Sequence, residues 1–157
     1  MAFTDLEARV QDILICKSAP EDVQNLLVTS KNLLLYSWFY YPFSATAALE
    51  AAVALERALK IRLKAKPRDT LAFLLKRAIR EQVLTDAGFP RWRAHQDAFR
   101  QLHGIPTPER SSSLVCLLLR IFPDSRNKIA HGDPYMDDIG FSHLDIANEA
   151  INQLFPT

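Results

Sequence analysis

The stretch SATAALEAAVALERALKIRLKAK, residues 44–66, decides the fold class. Leucine, valine and alanine recur in it at intervals of three and four residues, which is the spacing of one face of an α-helix. Pro67 follows directly and predicts the end of the helix, because proline cannot continue the backbone hydrogen bonding. Alanine is frequent in the stretch, so other segments are expected to pack closely against it.

Helical spacing continues on both sides of this stretch. Further helices are predicted to begin at capping residues or at prolines suited to a first turn: Thr4 with Glu7, Ser18 with Pro20, Asp69 or Thr70, Pro90, and Ser142. Residues 114–122 are apolar on all sides and predict a central helix, which Pro123 is expected to interrupt. A short helix is expected to follow and to end at Gly132. All four glycines separate the periodic stretches, and strand-like alternation is absent, so the sequence predicts an all-α protein with one domain, residues 1–157.

Composition limits the functional classes. Hydrophobic residues make up 48% and charged residues 24% of the chain, which are ordinary values for a globular protein. No apolar run approaches the ~20 residues that span a bilayer, so no membrane association is predicted. The first residues lack the basic and apolar pattern of a signal peptide, and a cytoplasmic location is expected. Cys16 and Cys116 lie among isoleucines and leucines and are expected to be buried thiols, with a disulfide between them as the alternative.

Positive charge is concentrated in residues 57–100, which hold twelve lysines and arginines against four acidic residues. One interpretation is a solvated basic helical surface. The other is a surface that faces phosphate groups, as in proteins that bind nucleic acids. On the second interpretation, the candidate RNA-binding residues are Arg57, Lys60, Lys64 and Lys66.

The segment RNKIAH, residues 126–131, holds the side chains most suited to chemistry. On one helix, Asn127 and His131 share a face, and the long side chain of Arg126 reaches in from the side. Gly132 is predicted to cap the helix, which places His131 at its negative end, where an imidazolium is favoured. Histidine transfers protons near neutral pH and arginine can hold two phosphate oxygens. The three residues are therefore candidates for binding a phosphodiester and moving protons around it.

Arg126-Asn127 and His131-Gly132 resemble the Arg-x4-6-His motif of HEPN domains (higher eukaryotes and prokaryotes nucleotide-binding). The resemblance implies an up-and-down bundle of about five core helices with short extra helices, and a motif late in the chain. Many HEPN proteins are metal-independent endoribonucleases, of toxin or defence type, in which two motifs meet across a homodimer. They cleave by attack of the ribose 2′-hydroxyl and leave a cyclic phosphate. Carried over, the resemblance implies His131 as the acid/base, Arg126 as the phosphate-binding group and Asn127 as a positioning group.

Two further positions can be compared with HEPN proteins: the aromatic residues 38–41 and the residue two places after His131. The aromatic residues 38–41, ahead of an Ala/Leu/Glu-rich helix, are similar to those of small bacterial HEPN-like proteins. HEPN toxins silenced by a partner nucleotidyltransferase have a tyrosine two residues after the histidine, but this chain has Asp133 there and its nearest tyrosine is Tyr135. The resemblance implies an antitoxin partner protein. Because the tyrosine is missing, control of this chain by adenylylation of that tyrosine is not expected.

The alternative interpretation is a catalytically inactive HEPN-like module that binds a nucleotide or a protein partner. In it, Arg126 pairs with Asp124 or Asp133, and His131 only closes the helix. For either interpretation, the aromatic run of residues 35–43 and the apolar residues 114–122 predict a two-fold homodimer.

Neither a metal site nor a cofactor is predicted. His95, His103 and His143 are separated by eight residues or more, and they are expected at the surface or in loops. Glu50 and Glu56, six residues apart on one helix, diverge too far to act as paired carboxylates.

Overall fold

Seven α-helices form the part of the chain that the computed structural model describes, which is residues 2–106, 114–132 and 139–157. They are α1 (Phe3–Gln11), α2 (Glu21–Tyr36), α3 (Phe43–Arg62), α4 (Leu71–Arg80), α5 (Pro90–Leu102), α6 (Leu114–Ala130) and α7 (Ile139–Leu154). These ranges contain no strand, so the predicted all-α class is confirmed, and an up-and-down bundle is compatible with it. The expectations for Asp133 and Tyr135, and for the side chain of Cys116, lie outside the described residues.

Helix α3 lies at the centre of the packing. It contacts α2, α4, α6 and α7, and the residues it buries are mostly small: Ser44, Ala47, Ala48, Ala51, Ala52, Ala54, Leu55, Ala58 and Leu59. Because alanine has no atoms beyond Cβ, it allows other helices to approach on several sides, as the sequence predicted. The prediction that residues 114–122 form the central helix is wrong, because they belong to α6, where Ile121 is 40% exposed.

Helix α6 also continues through Pro123, where an interruption was predicted. A proline inside a helix removes one hydrogen bond and costs about 3 kcal/mol. Packing around it offsets this cost, because Leu118 and Phe122 are buried in the core. The ring of Phe122 stacks on His143 with centroids 4.6 Å apart, so His143 is a buried residue of α7, not the surface residue expected. The continuous helix joins residues 126–130 rigidly to the core.

Gly140 lies inside α7 rather than between helices, and it allows α7 to approach α3 closely. A Cβ atom there would lie 2.7 Å from the carbonyl oxygen of Ser44 and 2.6 Å from Cδ2 of Leu34. Real Cβ atoms do not approach other heavy atoms so closely, so only glycine fits without movement. Helix α7 begins at Ile139, ahead of the predicted cap at Ser142.

Two helix starts follow the predicted capping chemistry, whereas the Ser18 hydroxyl, predicted to cap α2, donates to the Phe155 carbonyl instead. The Thr70 hydroxyl accepts the N–H of Phe73 at 3.3 Å, and Pro90 occupies the first turn of α5. At α1, the Asp5 carboxylate accepts the N–H of Ala2 at 2.8 Å, in place of the predicted pairing of Thr4 with Glu7.

One hydrophobic cluster contains residues from α1, α2, α3, α4, α6 and α7. Cys16 is a free thiol buried in this cluster. Within the described ranges, no helix is long and apolar enough to cross a membrane.

Candidate functional site

The segment RNKIAH lies at the C-terminal end of α6, as predicted. The His131 N–H donates to the Asn127 carbonyl at 3.0 Å, and the Gly132 N–H donates to the Ile129 carbonyl at 3.0 Å. Gly132 has a φ of +78°, the left-handed conformation that favours glycine, and it ends the helix. The side chains of Asn127 and His131 are exposed. His131 is therefore held by the backbone of a helix end and is accessible from outside.

The Arg126 side chain lies beside α3. Its Nη2 is 3.8 Å from Oε2 of Glu56, and its Nη1 donates to Oδ1 of Asn127 at 3.3 Å. Its Nε is buried, with no hydrogen-bond partner among the described residues. Asp124, one of the two predicted partners of Arg126, instead forms an ion pair with Lys128 at 2.9 Å. Arg126 thus keeps unused donor capacity close to α3.

Two adjoining cavities, of about 400 and 340 Å³, open between α3, α6 and the segment that leads into α4. Both are lined by Glu56, Lys60, Pro67 and Arg126; the first also by Arg57, and the second also by Arg68, Thr70 and Asn127. We call the two cavities together the α3–α6 cleft. The fold therefore brings two predicted catalytic residues, Arg126 and Asn127, together with two predicted RNA-binding residues, Arg57 and Lys60. The other predicted residues, Lys64, Lys66 and His131, line neither cavity.

Glu56, which the sequence did not predict to be a site residue, lies in the cleft. Its Oε1 accepts from Nζ of Lys60 at 2.7 Å, while its Oε2 faces Arg126. The Glu56 carboxylate therefore interacts with two cations, Lys60 and Arg126. The Glu-Lys spacing of four residues along α3 predicts the first contact, but nothing in the sequence indicates the second, which joins positions 70 residues apart.

Arg57 has its own acidic partner. Its Nε donates to Oδ2 of Asp22 at 2.6 Å, and this hydrogen bond lowers the pKa of Asp22 below its ordinary value. Arg68 is exposed and forms no ion pair within the part of the chain that the structure describes. Lys60 is likewise paired, with Glu56 at 2.7 Å. The positive charge of the cleft that is most available to a ligand is therefore on Arg68 and Arg126.

A second polar cluster joins α5 to α7. The Glu149 carboxylate accepts the N–H groups of Arg91 at 2.7 Å and Trp92 at 3.3 Å, and so caps α5. Arg91 Nε lies 3.6 Å from Oδ1 of Asp145. Burial raises the pKa of both Asp145 and Glu149, because desolvation disfavours their charged forms. These contacts hold α5 on α7, and the cluster is distant in sequence from every predicted site residue.

Among the described residues, no group of three or more His, Cys, Asp or Glu side chains could hold a metal ion. No family model matches the chain, and neither does any curated protein or solved structure. The interpretation of residues 126–132 therefore depends on the residues themselves and on the geometry around them.

Proposed function

We propose that the protein is a metal-independent endoribonuclease whose catalytic residues are Arg126, Asn127 and His131, completed by a second copy of the chain. The main support is the position of Arg126 and Asn127 in the α3–α6 cleft beside Lys60. A cleft with several cations suits the charged backbone of RNA, and arginine donors stabilise charge that develops on a phosphate.

The proposed chemistry uses the substrate's own nucleophile. The ribose 2′-oxygen attacks the neighbouring phosphorus and forms a new P–O bond, the bond to the 5′-oxygen breaks, and a 2′,3′-cyclic phosphate and a 5′-hydroxyl result. A histidine takes the proton from the 2′-hydroxyl and a second histidine donates one to the leaving oxygen. Two copies of the chain supply two His131 side chains, which explains why the site requires a dimer.

The surface near residues 38–41 supports such a dimer. Trp38 is 45% and Phe39 is 76% exposed, and the ring of Phe3 packs beside both with centroids 6.0 Å away. Most described side chains of residues 114–122 are buried within the chain itself. The aromatic residues, rather than α6, are therefore the proposed contact between copies.

The second candidate function is a catalytically inactive module that binds a nucleotide in the cleft. Two observations favour it: Glu56 already lies beside Arg126, and His131 lines neither cavity of the cleft. In this candidate, the cleft binds phosphate groups but no residue transfers a proton.

Cleavage of mixed RNA in EDTA tests the two candidates. Wild type should produce 2′,3′-cyclic ends, His131→Ala should be inactive, and Arg126→Ala should lose roughly 10²–10³-fold in rate, the usual effect of removing one donor to a developing charge. Asn127→Ala should lose less.

Two matched controls separate these effects from general damage. Arg120→Ala removes an exposed cation from the same helix, and His103→Ala removes an exposed histidine elsewhere; both should cleave like wild type. Cleavage that survives His131→Ala, or that requires Mg²⁺, contradicts the proposal, while RNA binding without cleavage by wild type supports the inactive module.

A further inference from the structure

The start of α4 contributes additional donors to the α3–α6 cleft. The second cavity is lined by Thr70, Leu71 and Ala72, which are the cap and first two residues of this helix. The Thr70 side chain and carbonyl accept the N–H groups of Phe73 and Leu74. The N–H groups of Leu71 and Ala72, by contrast, have no partner within the described ranges. The first N–H groups of a helix are available to an anion, and the helix dipole adds to the attraction.

Side-chain cations surround the same cavity. Lys60, Arg68 and Arg126 all line it, and the buried Nε of Arg126 has no hydrogen-bond partner among the described residues. Only two carboxylates offset them. Glu56 is shared by Lys60 and Arg126, and Asp69 accepts the N–H of Lys66 at 2.9 Å. Donors and positive charge therefore exceed acceptors in this cavity.

We propose that the side of this cavity formed by Arg68 and the start of α4 binds a phosphate monoester, next to the Arg126 side that the scissile phosphodiester occupies, and that the substrate of the proposed ribonuclease is RNA that carries a phosphate at one end. A monoester has close to two negative charges near neutral pH and three free oxygens. An internal phosphodiester has one charge and two free oxygens, so it uses fewer of the donors around the cavity. The volume of about 340 Å³ is near the lower limit of about 300 Å³ for small-molecule pockets, which suits a single terminal group.

The RNA part of this inference rests on the proposed function, but the phosphate preference does not. Binding is therefore measured with 2′-O-methyl oligonucleotides, which lack the nucleophile and cannot be cleaved. Calorimetry compares one sequence with a 5′-phosphate, with a 3′-phosphate and with neither, and inorganic phosphate is titrated separately.

Arg68→Gln is the diagnostic variant. Arg80→Gln is its matched control, because Arg80 is an exposed cation of α4 that lines neither cavity. Wild type should bind one of the phosphorylated forms roughly tenfold or more tightly than the unphosphorylated form, as expected for one charge-assisted hydrogen bond. Arg68→Gln should remove most of this preference and Arg80→Gln should preserve it. Thermal unfolding of both variants verifies that they are folded.

Several results would overturn the inference. Equal affinity for phosphorylated and unphosphorylated forms rejects the monoester site, and so does an equal effect of the two glutamine variants. Inorganic phosphate that binds as tightly as the phosphorylated oligonucleotide assigns the cavity to free phosphate and rejects the RNA end. A phosphate preference without cleavage of ordinary RNA would uphold the site and reject the ribonuclease. Cleavage of ordinary RNA without a phosphate preference would uphold the ribonuclease and reject the monoester site.

Discussion

Gly140 offers a direct test of how α7 packs on α3. Substitution with alanine has two opposing effects. Alanine favours a helix interior over glycine by about 1 kcal/mol, and Gly140 lies close to the start of α7, so this gain is at most that large. Against it stands the contact of the new Cβ with the Ser44 carbonyl oxygen at 2.7 Å.

The steric effect should be larger than the propensity effect. Cδ2 of Leu34, 2.6 Å away, can turn aside, but the Ser44 oxygen belongs to the backbone of the central helix. Inserting an extra carbon into such a packed site costs typically about 1–3 kcal/mol. The net expectation is a loss of about 1–2 kcal/mol in the free energy of unfolding, or a fall of roughly 2–8 °C in melting temperature for a chain of this size.

Urea denaturation followed by circular dichroism measures this change. Gly140→Leu is the informative companion, because leucine and alanine have similar helix propensities and differ mainly in size. The leucine variant should therefore be less stable than the alanine variant. An alanine variant more stable than wild type would show that the propensity gain is the larger effect and that α7 does not approach α3 as closely as described.

Three further outcomes are expected. Burial raises the pKa of Glu149 above 4.5, so wild type should lose stability as pH rises from about 4.5 through the raised pKa. Glu149→Gln cannot titrate and should lose less stability over the same range in denaturation, whereas equal pH profiles would contradict the buried carboxyl. Thr70→Ala should cost about 1 kcal/mol in the same assay, because the cap of α4 is lost, whereas an unchanged stability would contradict the cap. Light scattering at micromolar concentration should show a homodimer, and Phe39→Ser should shift it toward monomer; a wild-type monomer would reject the composite site.

Helix ends were predictable from the sequence where a glycine closes them, as at Gly104 and Gly132. Starts were predictable at Thr70 and Pro90 but not at the predicted caps Thr4 and Ser142. Helix α5 ends at Leu102 and is closed by Gly104, which has a φ of +62°, and the Ile105 N–H donates to the Arg100 carbonyl at 2.9 Å. This is the bonding of a helix end closed by a left-handed residue, which glycine adopts without strain. A glycine at this position therefore allows the helix end to be predicted from the sequence.

The ends of α3 and α4 have the same bonding without glycine. Lys64 has a φ of 48°, and the next N–H, of Ala65, donates to the Lys60 carbonyl at 3.0 Å. Gln82 has a φ of 57°, and the Val83 N–H donates to the Ala78 carbonyl at 2.8 Å. Because lysine and glutamine give no signal of this conformation, α3 ends earlier than Pro67 predicted. Packing of the following segments on the core, rather than local preference, selects these ends.

The candidate site was predictable only in part, for a related reason. The sequence predicted that Arg126, Asn127 and His131 lie at a helix end, and the structure has the first two in the last turn and a half of α6 and His131 directly after it. It did not predict that this end belongs to one helix continuing through Pro123. The acidic partner of Arg126 is Glu56 of α3, and the start of α4 lines the same cavity, both far away in sequence. Long-range contacts of this kind depend on how the helices pack, and that packing depends on positions such as Gly140 that have no apparent link to the site.

The strength of the contact between Glu56 and Arg126 bears on which candidate function is favoured. The two charged groups are 3.8 Å apart, and the Arg126 side chain is 40% exposed. A pair of this length and exposure contributes roughly 0–1 kcal/mol. Glu56 is held instead by its direct contact with Lys60 at 2.7 Å. Arg126 can therefore turn from Glu56 to a phosphate at a cost smaller than the gain from a charge-assisted hydrogen bond, about 1.5–3 kcal/mol. The ion pair that favoured the inactive module thus presents little obstacle to phosphate binding, and the position of His131 in the proposed dimer decides between the two candidates.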